Sequence, residues 1–572
     1  MMRTAKLVLV GLMVMGAAAC SDSLNVANTQ SADRARALAR PSDVEALIGS
    51  SYSAVHNATL GAFCAINTQS MSMSLENYSN LANNNMGPRA AIPRAPVDNS
   101  RNNAVAASNY RDFLNLHRAA RQAAVGLAAV NATGFTFFPP NASQLARARA
   151  MSYFVIGTAL GNVALLYDQG SAISPNDNPN DPTPIPFVAY DSLMRYSLTM
   201  LDSAIAEAGL AAGSFPLTSS QNWFGAPGVA MTQAQFIGFA RGYKARFRAG
   251  VARDPTSRAA VNWANVIADA NAALAAWPGG VVLPMLPASG WDIGYLSTIF
   301  QSNQQSWTMM WAFIIGMADT SGGYQNWVAT ANTSKLPFLV VTNDLRYPQG
   351  LTRTAQQGPG CPAACTSGQG TAAAPMPAGQ YIRNRAVSDW NGDPYANSWY
   401  DHERWNAFVR ASRIGNFPIM PATELRMLAA EGDILTGAID AAATLINVTR
   451  TANGLTALPA GMTLATPVPG SANGCIPKIP AIVAAGTGTV ACGTIMEAMK
   501  WEKRMETEFT APYAWYIDAR GWGDLPVNTA TEWPTPYQEI DSRQLFANPP
   551  AYTLSFGGGG PSSALANTYG LH

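Results

Sequence analysis

Charge is scarce in this sequence. Asp, Glu, Lys and Arg make up 12% of the 572 residues, and the formal net charge is +1 at pH 7. Lys and Arg are scattered, whereas nucleic-acid binders and polybasic membrane-docking proteins concentrate positive charge, so we expect neither class. An apolar fraction of 48%, with 14 Trp, 19 Tyr and 20 Phe, indicates a globular chain rather than a disordered one.

The signatures of common enzyme classes are missing too. His402 is followed by Glu-Arg-Trp-Asn rather than by a zinc-binding Glu-x-x-His, there is no Gly-x-Ser-x-Gly elbow, and none of the six Lys residues completes a phosphate loop. The sequence therefore predicts no catalytic residue and no cofactor. A glycosidase needs only two carboxylates. Asp401 and Glu403 are the pair to test for that alternative, and solvated loop charges are the competing interpretation.

The N-terminus has the layout of a secretory signal peptide. Arg3 and Lys6 precede an apolar segment and the small residues 16–19, and the apolar segment is too short to span a membrane. Ala-Ala-Ala-Cys resembles the cleavage motif of bacterial lipoproteins, with Ala17 where that motif usually carries Leu. We therefore expect a signal peptide over 1–19, lipid attachment at Cys20 and a flexible lipidated tether over 20–40. A cleaved leader with an incidental cysteine is the alternative.

The remaining cysteines suit an exported chain. Short separations favour disulfide pairing of Cys361 with Cys365 and of Cys475 with Cys492, which leaves Cys64 over. Zinc binding by Cys361 and Cys365 is the competing interpretation, but no His lies at ligand spacing beside them. We predict no metal site. Asp177 and Asp181 have oxygens suited to calcium, but an ordinary turn explains them as well.

Apolar periodicity and capping signals predict long helices separated by long loops. Three helices open with the spacing of a capping box: one from Pro41 with Ser42 and Glu45, and those with Thr232–Gln235 and Thr494–Glu497. Gly437 marks the turn of a helical hairpin. The predicted helices after the first are 143–167, 190–208, 232–253, 256–276, 421–436, 438–450 and 494–509.

Three segments together resemble the SusD/RagB family of outer-membrane nutrient-binding lipoproteins. The most specific is the hairpin from Glu424 and Ala430-Glu431 to Ile446-Asn447-x-x-Arg450, closed by Gly454-Leu455. The second is Glu502-Lys503-Arg504-Met505-Glu506 followed by Asp518-x-Arg520-x-Trp522-Gly523. The third is the N-terminal cysteine followed by Leu24-Asn25-Val26 and the Pro41 helix. Ala452 and Lys503 depart from the family pattern, and its Glu-Gly-x-Arg element is not kept.

The resemblance implies a mainly α fold: a SusD-like scaffold of tetratricopeptide-like helix hairpins with long loop-rich insertions. A nutrient-binding domain would span 41–545, with loop-rich region 278–420 as the ligand-region candidate and a Gly/Pro-rich tail over 546–572. Family members are lipid-anchored at the cell surface. They capture an oligosaccharide or other nutrient without cleaving it and deliver it to a SusC-type TonB-dependent outer-membrane transporter. We expect the acids and arginines of the motifs to be structural: Glu424 and Arg426, or Glu502 and Glu506 with Arg520, would make capping and inter-helix ion pairs.

Aromatic and amide residues of the loops are the ligand candidates, because sugar rings stack on aromatic faces and their hydroxyls need polar partners. Many of the Trp residues fall within 278–420, although anchoring of loops to a core is the ordinary role of Trp. Trp291, Tyr295, Tyr324 and Trp327 lie beside Gly and Asn, so we expect them at the surface. The predicted ligand-binding residues are Asn77, Tyr78, Asn84, Trp291, Tyr295, Tyr324, Trp327, Trp399 and Tyr400. A polysaccharide hydrolase and a structural surface-assembly subunit remain the alternative functions.

Overall fold

The computed structural model describes residues 38 and 40–543, except 62–65, 104–105, 138–139, 178–182, 214, 216–229, 301–307, 358–375, 386–395, 397, 472 and 484–486. The predicted signal peptide, most of the tether with Cys20, the tail over 546–572, Cys64, Cys361 and Cys365 lie outside these residues.

Helices dominate the described chain, and successive long helices pack against one another. The helix α1 packs on α4, α4 on α5, α5 on α6, α6 on α7, α7 on α9, and α9 on the hairpin α15–α16. The helices are α1 Pro41–His56, α2 Ile66–Met73, α3 Met86–Ala90, α4 Ala106–Val130, α5 Ala142–Leu166, α6 Tyr190–Leu210, α7 Gln233–Gly250, α8 Pro255–Ala259, α9 Trp263–Ala276, α10 Gly294–Ile299, α11 Ala312–Ile315, α12 Gly323–Ala329, α13 Arg353–Gln357, α14 Asn406–Arg410, α15 Ala422–Thr436, α16 Ile439–Ala452, α17 Ile495–Thr507, α18 Ala514–Trp522 and α19 Tyr537–Ser542.

The strands form small two-stranded antiparallel sheets. These pair β1 Gln169–Ser171 with β2 Phe187–Ala189, β3 Gly280–Met285 with β6 Gly415–Pro421, β4 Ile382–Asn384 with β5 Tyr400–His402, and β7 Lys478–Val483 with β8 Thr487–Cys492. The β3–β6 pair brings together the two ends of region 278–420. The predicted mainly α class is therefore correct, and the loop-rich region is closed at its base by a short sheet.

Small residues allow the long helices to approach closely. A Cβ at Gly161 of α5 would overlap the Phe247 ring of α7, and a Cβ at Gly242 of α7 would overlap the Met420 side chain. The helix α5 is long and apolar enough to cross a membrane by length and composition, but 89% of its apolar window is buried inside the protein. It is the central helix of the core, which its contacts with α4, α6 and α7 explain.

Two large hydrophobic cores divide the protein. The first lies among α1 and α4–α7 and includes Tyr52, Phe154 and Phe247. The second lies within region 278–420 and its neighbours, and it includes Trp311, Tyr324 and Trp501. The loop-rich region thus builds a core of its own, which determines where its aromatic side chains lie.

Most predicted helices match the structure, shorter helices such as α2 and α18 were not predicted, and three further differences concern the long helices. The segment 256–276 forms two helices, because Asp254 caps α8 and the Asn262 side chain caps α9 by accepting from the Asn265 N–H at 3.1 Å. Helix α4 was not predicted, although Phe113, Leu116, Ala120, Ala123 and Leu127 are buried at helical spacing. The turn at Gly437 is confirmed by its φ of 89°. The third difference concerns helix starts.

Of the three capping boxes, one is confirmed. At Thr232 the side chain accepts from the Gln235 N–H at 3.2 Å and the Gln235 side chain returns a bond at 2.9 Å. The α1 helix already begins at Pro41, and the Glu45 carboxylate accepts from Gln144 at 3.0 Å instead of capping. At Thr494 the side chain makes no cap hydrogen bond, and Glu497 pairs with Lys500 at 3.0 Å. The predicted capping boxes at Ser42 and at Thr494 are therefore wrong.

The motif acids form buried ion pairs with residues far away in the sequence. Glu424 pairs with Arg246, whereas Arg426 donates to the Pro278 carbonyl at 3.4 Å. Glu502 and Glu506 lie 3.0 and 3.3 Å from Arg346. Arg520 donates instead to backbone carbonyls of α7 and of residue 531, at 2.8 and 2.7 Å. The expected inter-helix ion pair is present at Glu424, and the expected pairing of Glu502 and Glu506 with Arg520 is wrong.

Candidate functional site

The β4–β5 pair presents one side-chain face that combines aromatic, cationic and acidic groups. Arg383 pairs with Asp401 in the register, and backbone bonds extend the ladder by one residue at each end. Because side chains alternate along a strand, the residues at every second position share a face. We call this the β4–β5 face. It consists of Tyr381, Arg383, Arg385, Trp399, Asp401 and Glu403.

Half-buried aromatic rings lie at the two ends of the β4–β5 face, each next to an arginine. The Arg353 guanidinium lies 4.7 Å from the centre of the Trp399 ring, and the Arg404 guanidinium lies 4.1 Å from the centre of the Tyr381 ring. The Tyr381 hydroxyl donates to Glu506 at 2.9 Å. Rings beside guanidinium groups offer both the apolar and the hydrogen-bonding contacts that a sugar needs.

A buried ion cluster lies between the two rings. Arg383 binds both oxygens of Asp401 at 2.8 and 2.9 Å, and its Nη2 also lies 3.1 Å from Glu403. Burial and the charge of Asp401 raise the pKa of Glu403 to about 8. Both acids are buried, so their interpretation as solvated loop charges is wrong. Their contacts with Arg383 are those of a structural cluster that fixes the strand pair.

The Asn-rich segment after α2 lies beside this strand pair. Tyr78 forms a β-bridge with Met309, and the neighbouring Met310 N–H donates to the Tyr400 carbonyl at 2.9 Å. The structure therefore brings two predicted ligand segments together, one around Tyr78 and one at Trp399 and Tyr400. Asn77 and Tyr78 are buried, whereas Asn84 is half-buried and has a left-handed backbone conformation with φ of 54°.

The expected exposure of four aromatic residues is wrong. Trp291 and Tyr295 belong to the helical core, where the Trp291 ring lies 4.7 Å from that of His56. Tyr324 and Trp327 stack at 5.9 Å in the second core. Neighbouring Gly and Asn residues did not indicate exposure here, because the loop-rich region folds around these rings.

Tyr400 is also buried, on the opposite side of its strand from Trp399. Its hydroxyl accepts from the Val340 N–H at 2.9 Å and donates to Gln356 at 2.7 Å. Tyr400 therefore packs on the side of the strand pair opposite the β4–β5 face. Of the nine predicted ligand residues, Trp399 and Asn84 are therefore the ones whose side chains reach the surface in part.

Sequence reasoning did not identify Tyr381, Arg353 and Arg404. The alternation Tyr381-Ile382-Arg383-Asn384-Arg385 is a strand signal. The contacts that matter join residues far apart in the chain, and no local pattern encodes them.

The predicted disulfide between Cys475 and Cys492 is present, with a Cα–Cα distance of 5.7 Å. Among the described residues, no group of three or more His, Cys, Asp or Glu side chains is arranged to hold a metal ion. The Asp177 carboxylate accepts from the Ser174 N–H at 2.8 Å, as in a turn, and Asp181 lies outside the described part. The Cys361–Cys365 pairing stays a prediction.

Solved structures with a similar backbone show that this architecture is a known fold. Two SusD superfamily proteins from Bacteroides thetaiotaomicron share 11% and 10% sequence identity with the chain, at TM-scores of 0.52 and 0.50. The matches cover 88% of this chain and 97% and 98% of theirs. A SusD-like protein from Bacteroides fragilis is 11% identical, with a TM-score of 0.50, covering 90% of this chain and 97% of the other. No protein-family model and no curated protein matches the sequence. The chain has the SusD-like fold that the motifs predicted.

Proposed function

We propose that this protein is a non-catalytic surface lipoprotein that captures an oligosaccharide and delivers it to a SusC-type TonB-dependent outer-membrane transporter. The observation that carries the sugar-binding part is the β4–β5 face, with half-buried Trp399 and Tyr381 at its ends and an arginine beside each ring. In the extended geometry of the strands the two ends lie about 13 Å apart. An oligosaccharide could contact both rings at once.

The anchoring and delivery parts of the proposal rest on other support. The lipoprotein-like cleavage motif before Cys20 supports a lipid anchor. The SusD-like fold and the ordered motif series support a transporter partner. A tether over 20–40 would let the domain move over the transporter while it stays attached to the membrane.

A polysaccharide hydrolase is the second candidate, and Asp401 with Glu403 is the observation that favours it. Both carboxylates lie about 3 Å from the same Arg383 nitrogen, and Glu403 has the raised pKa of a general acid. Against this role, both are nearly fully buried and are held in ion pairs. A structural surface-assembly subunit is the third class.

One experiment separates these three functions. Residues 21–572 are incubated with a broad oligosaccharide panel, and binding and product release are measured on the same samples, with D401N as a control for hydrolysis. The proposal expects binding without new reducing ends. Product release that D401N abolishes while glycan binding is kept would establish the hydrolase. A chain that binds no glycan and recovers no transporter in membrane pull-downs would leave the assembly subunit.

A further inference from the structure

A cavity of about 260 Å³ lies among α4, β1, the segment before β2 and the end of α19, and none of its lining residues belongs to the β4–β5 face. Leu114, His117 and Arg121 of α4 line one wall. Because these residues recur at helical spacing, they form a continuous stripe on one face of α4. Nothing in the proposed function uses this cavity.

Part of the cavity wall is apolar. Phe113 and Leu114 contribute from α4, and Ile173 and Ile185 face them from the segments that flank the β1–β2 pair. The Phe113 ring packs against the imidazole of His117 at 4.2 Å between ring centres. A bound molecule would therefore place an apolar body against these side chains.

One positively charged group of the cavity wall makes no hydrogen bond with the described part of the chain. His117 uses both ring nitrogens, at 2.8 Å to the Phe113 carbonyl and at 3.1 Å to the Ser171 N–H, so it is neutral. Arg543 binds one oxygen of Glu539 through two nitrogens, at 2.8 and 2.7 Å, so the two charges cancel. The other positively charged lining residue is Arg121.

Arg121 makes no hydrogen bond with the described residues. Its one ion-pair contact is with the Asp177 carboxylate at 3.7 Å, longer than a hydrogen bond, and its side chain is 38% exposed. The Asp177 oxygen of that pair also accepts from the Ser174 N–H. The guanidinium therefore has donors available in the wall of a cavity that is partly apolar.

We propose that this cavity is a binding site for a small organic carboxylate. The carboxylate would accept two parallel hydrogen bonds from Arg121, and a ring or short chain would fill the space against Phe113 and Leu114. The apolar side chains of the wall distinguish this ligand class from inorganic phosphate, which has no apolar body to bury. The site is independent of the glycan surface.

Isothermal titration of residues 21–572 with benzoate tests the proposal, with benzamide as the uncharged isostere. Benzoate should bind and benzamide should bind much more weakly. Arg121→Gln should weaken benzoate binding roughly ten- to hundredfold, the range for a lost hydrogen bond to a charged group. Arg118→Gln is the matched control, because Arg118 is exposed on the same helix and does not line the cavity.

Leu114→Trp is the second variant, since a larger side chain would fill the cavity without removing charge. It should also abolish benzoate binding while the thermal midpoint stays close to that of the parent chain. Absence of benzoate binding at millimolar concentration, equal binding of benzamide, or unchanged binding by R121Q would each overturn the proposal. Glycan binding should be the same in R121Q and in the parent chain.

Discussion

Arg246 of α7 and Glu424 of α15 form a bidentate ion pair in the interior, with Nε–Oε1 and Nη2–Oε2 distances of 2.6 and 2.7 Å. Their side chains are 3% and 2% exposed. Arg246 also donates to the Ile419 carbonyl at 3.0 Å, so the pair joins the N-terminal helices to β6 and to the C-terminal hairpin.

Breaking this pair should destabilise the whole fold. Glu424→Gln leaves the Arg246 charge buried without its counter-charge, at an expected cost of about 3–5 kcal/mol in the free energy of unfolding. Urea denaturation measures this cost. Glu207 is a half-exposed residue of α6, and Glu207→Gln is the control. It should change the free energy of unfolding by less than about 0.5 kcal/mol. A loss for E424Q no larger than for E207Q would contradict the structural role of the pair.

Arg346 neutralises several buried acids, so its removal should have a pH-dependent cost. It binds both oxygens of Asp344, at 2.8 and 2.7 Å, and lies 3.0 Å from Glu502. Burial raises the pKa of Glu502 to about 7 even with Arg346 present. Without Arg346 that pKa should rise further, because the arginine charge lowers it. Arg346→Met should therefore lose more stability at pH 8 than at pH 5.

Urea denaturation at the two pH values checks this prediction. Arg520→Met is the matched control, because the hydrogen bonds of Arg520 described above go to carbonyl oxygens, which do not titrate. Its loss of stability should be similar at both pH values. An equal loss for R346M at pH 5 and pH 8 would show that the acids do not depend on this arginine.

Two further buried acids should make the protein less stable as the pH rises. Burial raises the pKa of Glu76 to about 8, and burial together with the charge of Glu76 raises the pKa of Glu508 well above its usual value. A folded-state pKa above the unfolded value means that the folded state binds the proton more tightly. Stability is then full below about pH 4.5 and is lost between about pH 4.5 and pH 8.

Glu76→Gln should remove the part of this loss that is due to Glu76, because the amide does not titrate. The amide oxygen can still accept from the Phe509 N–H, which lies 3.0 Å from the carboxylate oxygen in the parent chain. We expect the variant to be more stable than the parent chain by about 2–5 kcal/mol at pH 8 and equal to it near pH 4. Thermal unfolding across this pH range measures the difference. A variant that is less stable at pH 8 would show that the ionised carboxylate is stabilising.

The Cys475–Cys492 disulfide should stabilise the fold by closing a loop with a sequence separation of 17 residues. The chain-entropy model gives about 3 kcal/mol for a loop of this length. Replacing both cysteines by alanine should lower the free energy of unfolding by that amount, and reduction of the parent chain with dithiothreitol should have the same effect. No difference between oxidised and reduced parent protein in urea would contradict the assignment.

Local signals predicted what depends on neighbours along the chain. The helix hairpin at Gly437 and the capping box at Thr232 and Gln235 are determined within a few residues. The failed cap at Glu45 shows the limit, because the carboxylate binds Gln144 of another helix. Tertiary contacts decided that outcome.

The ligand residues show the same limit more strongly. Trp291 and Trp327 lie in loop-like sequence but are buried. Trp291 packs against His56 and Trp327 against Lys335, and the sequence does not reveal these contacts. Trp399 was predicted and is half-buried at the β4–β5 face, whereas its partner Arg353 comes from a separate helix. Composition pointed to region 278–420 as the ligand-region candidate, and packing determined which of its aromatic side chains reach the surface.

The most direct test of the account is titration of residues 21–572 with an oligosaccharide from the panel, comparing Trp399→Ala with Trp277→Ala. Trp277 is also half-buried, and it directly follows the last residue of α9 on the helical scaffold. Loss of one stacking ring should weaken binding about tenfold in W399A, which lies within the range of about 0.5–1.5 kcal/mol that an aromatic pair contributes beyond its area burial. The affinity of W277A should equal that of the parent chain. Equal affinities of W399A and the parent chain would contradict the assignment of the β4–β5 face as the sugar-binding site.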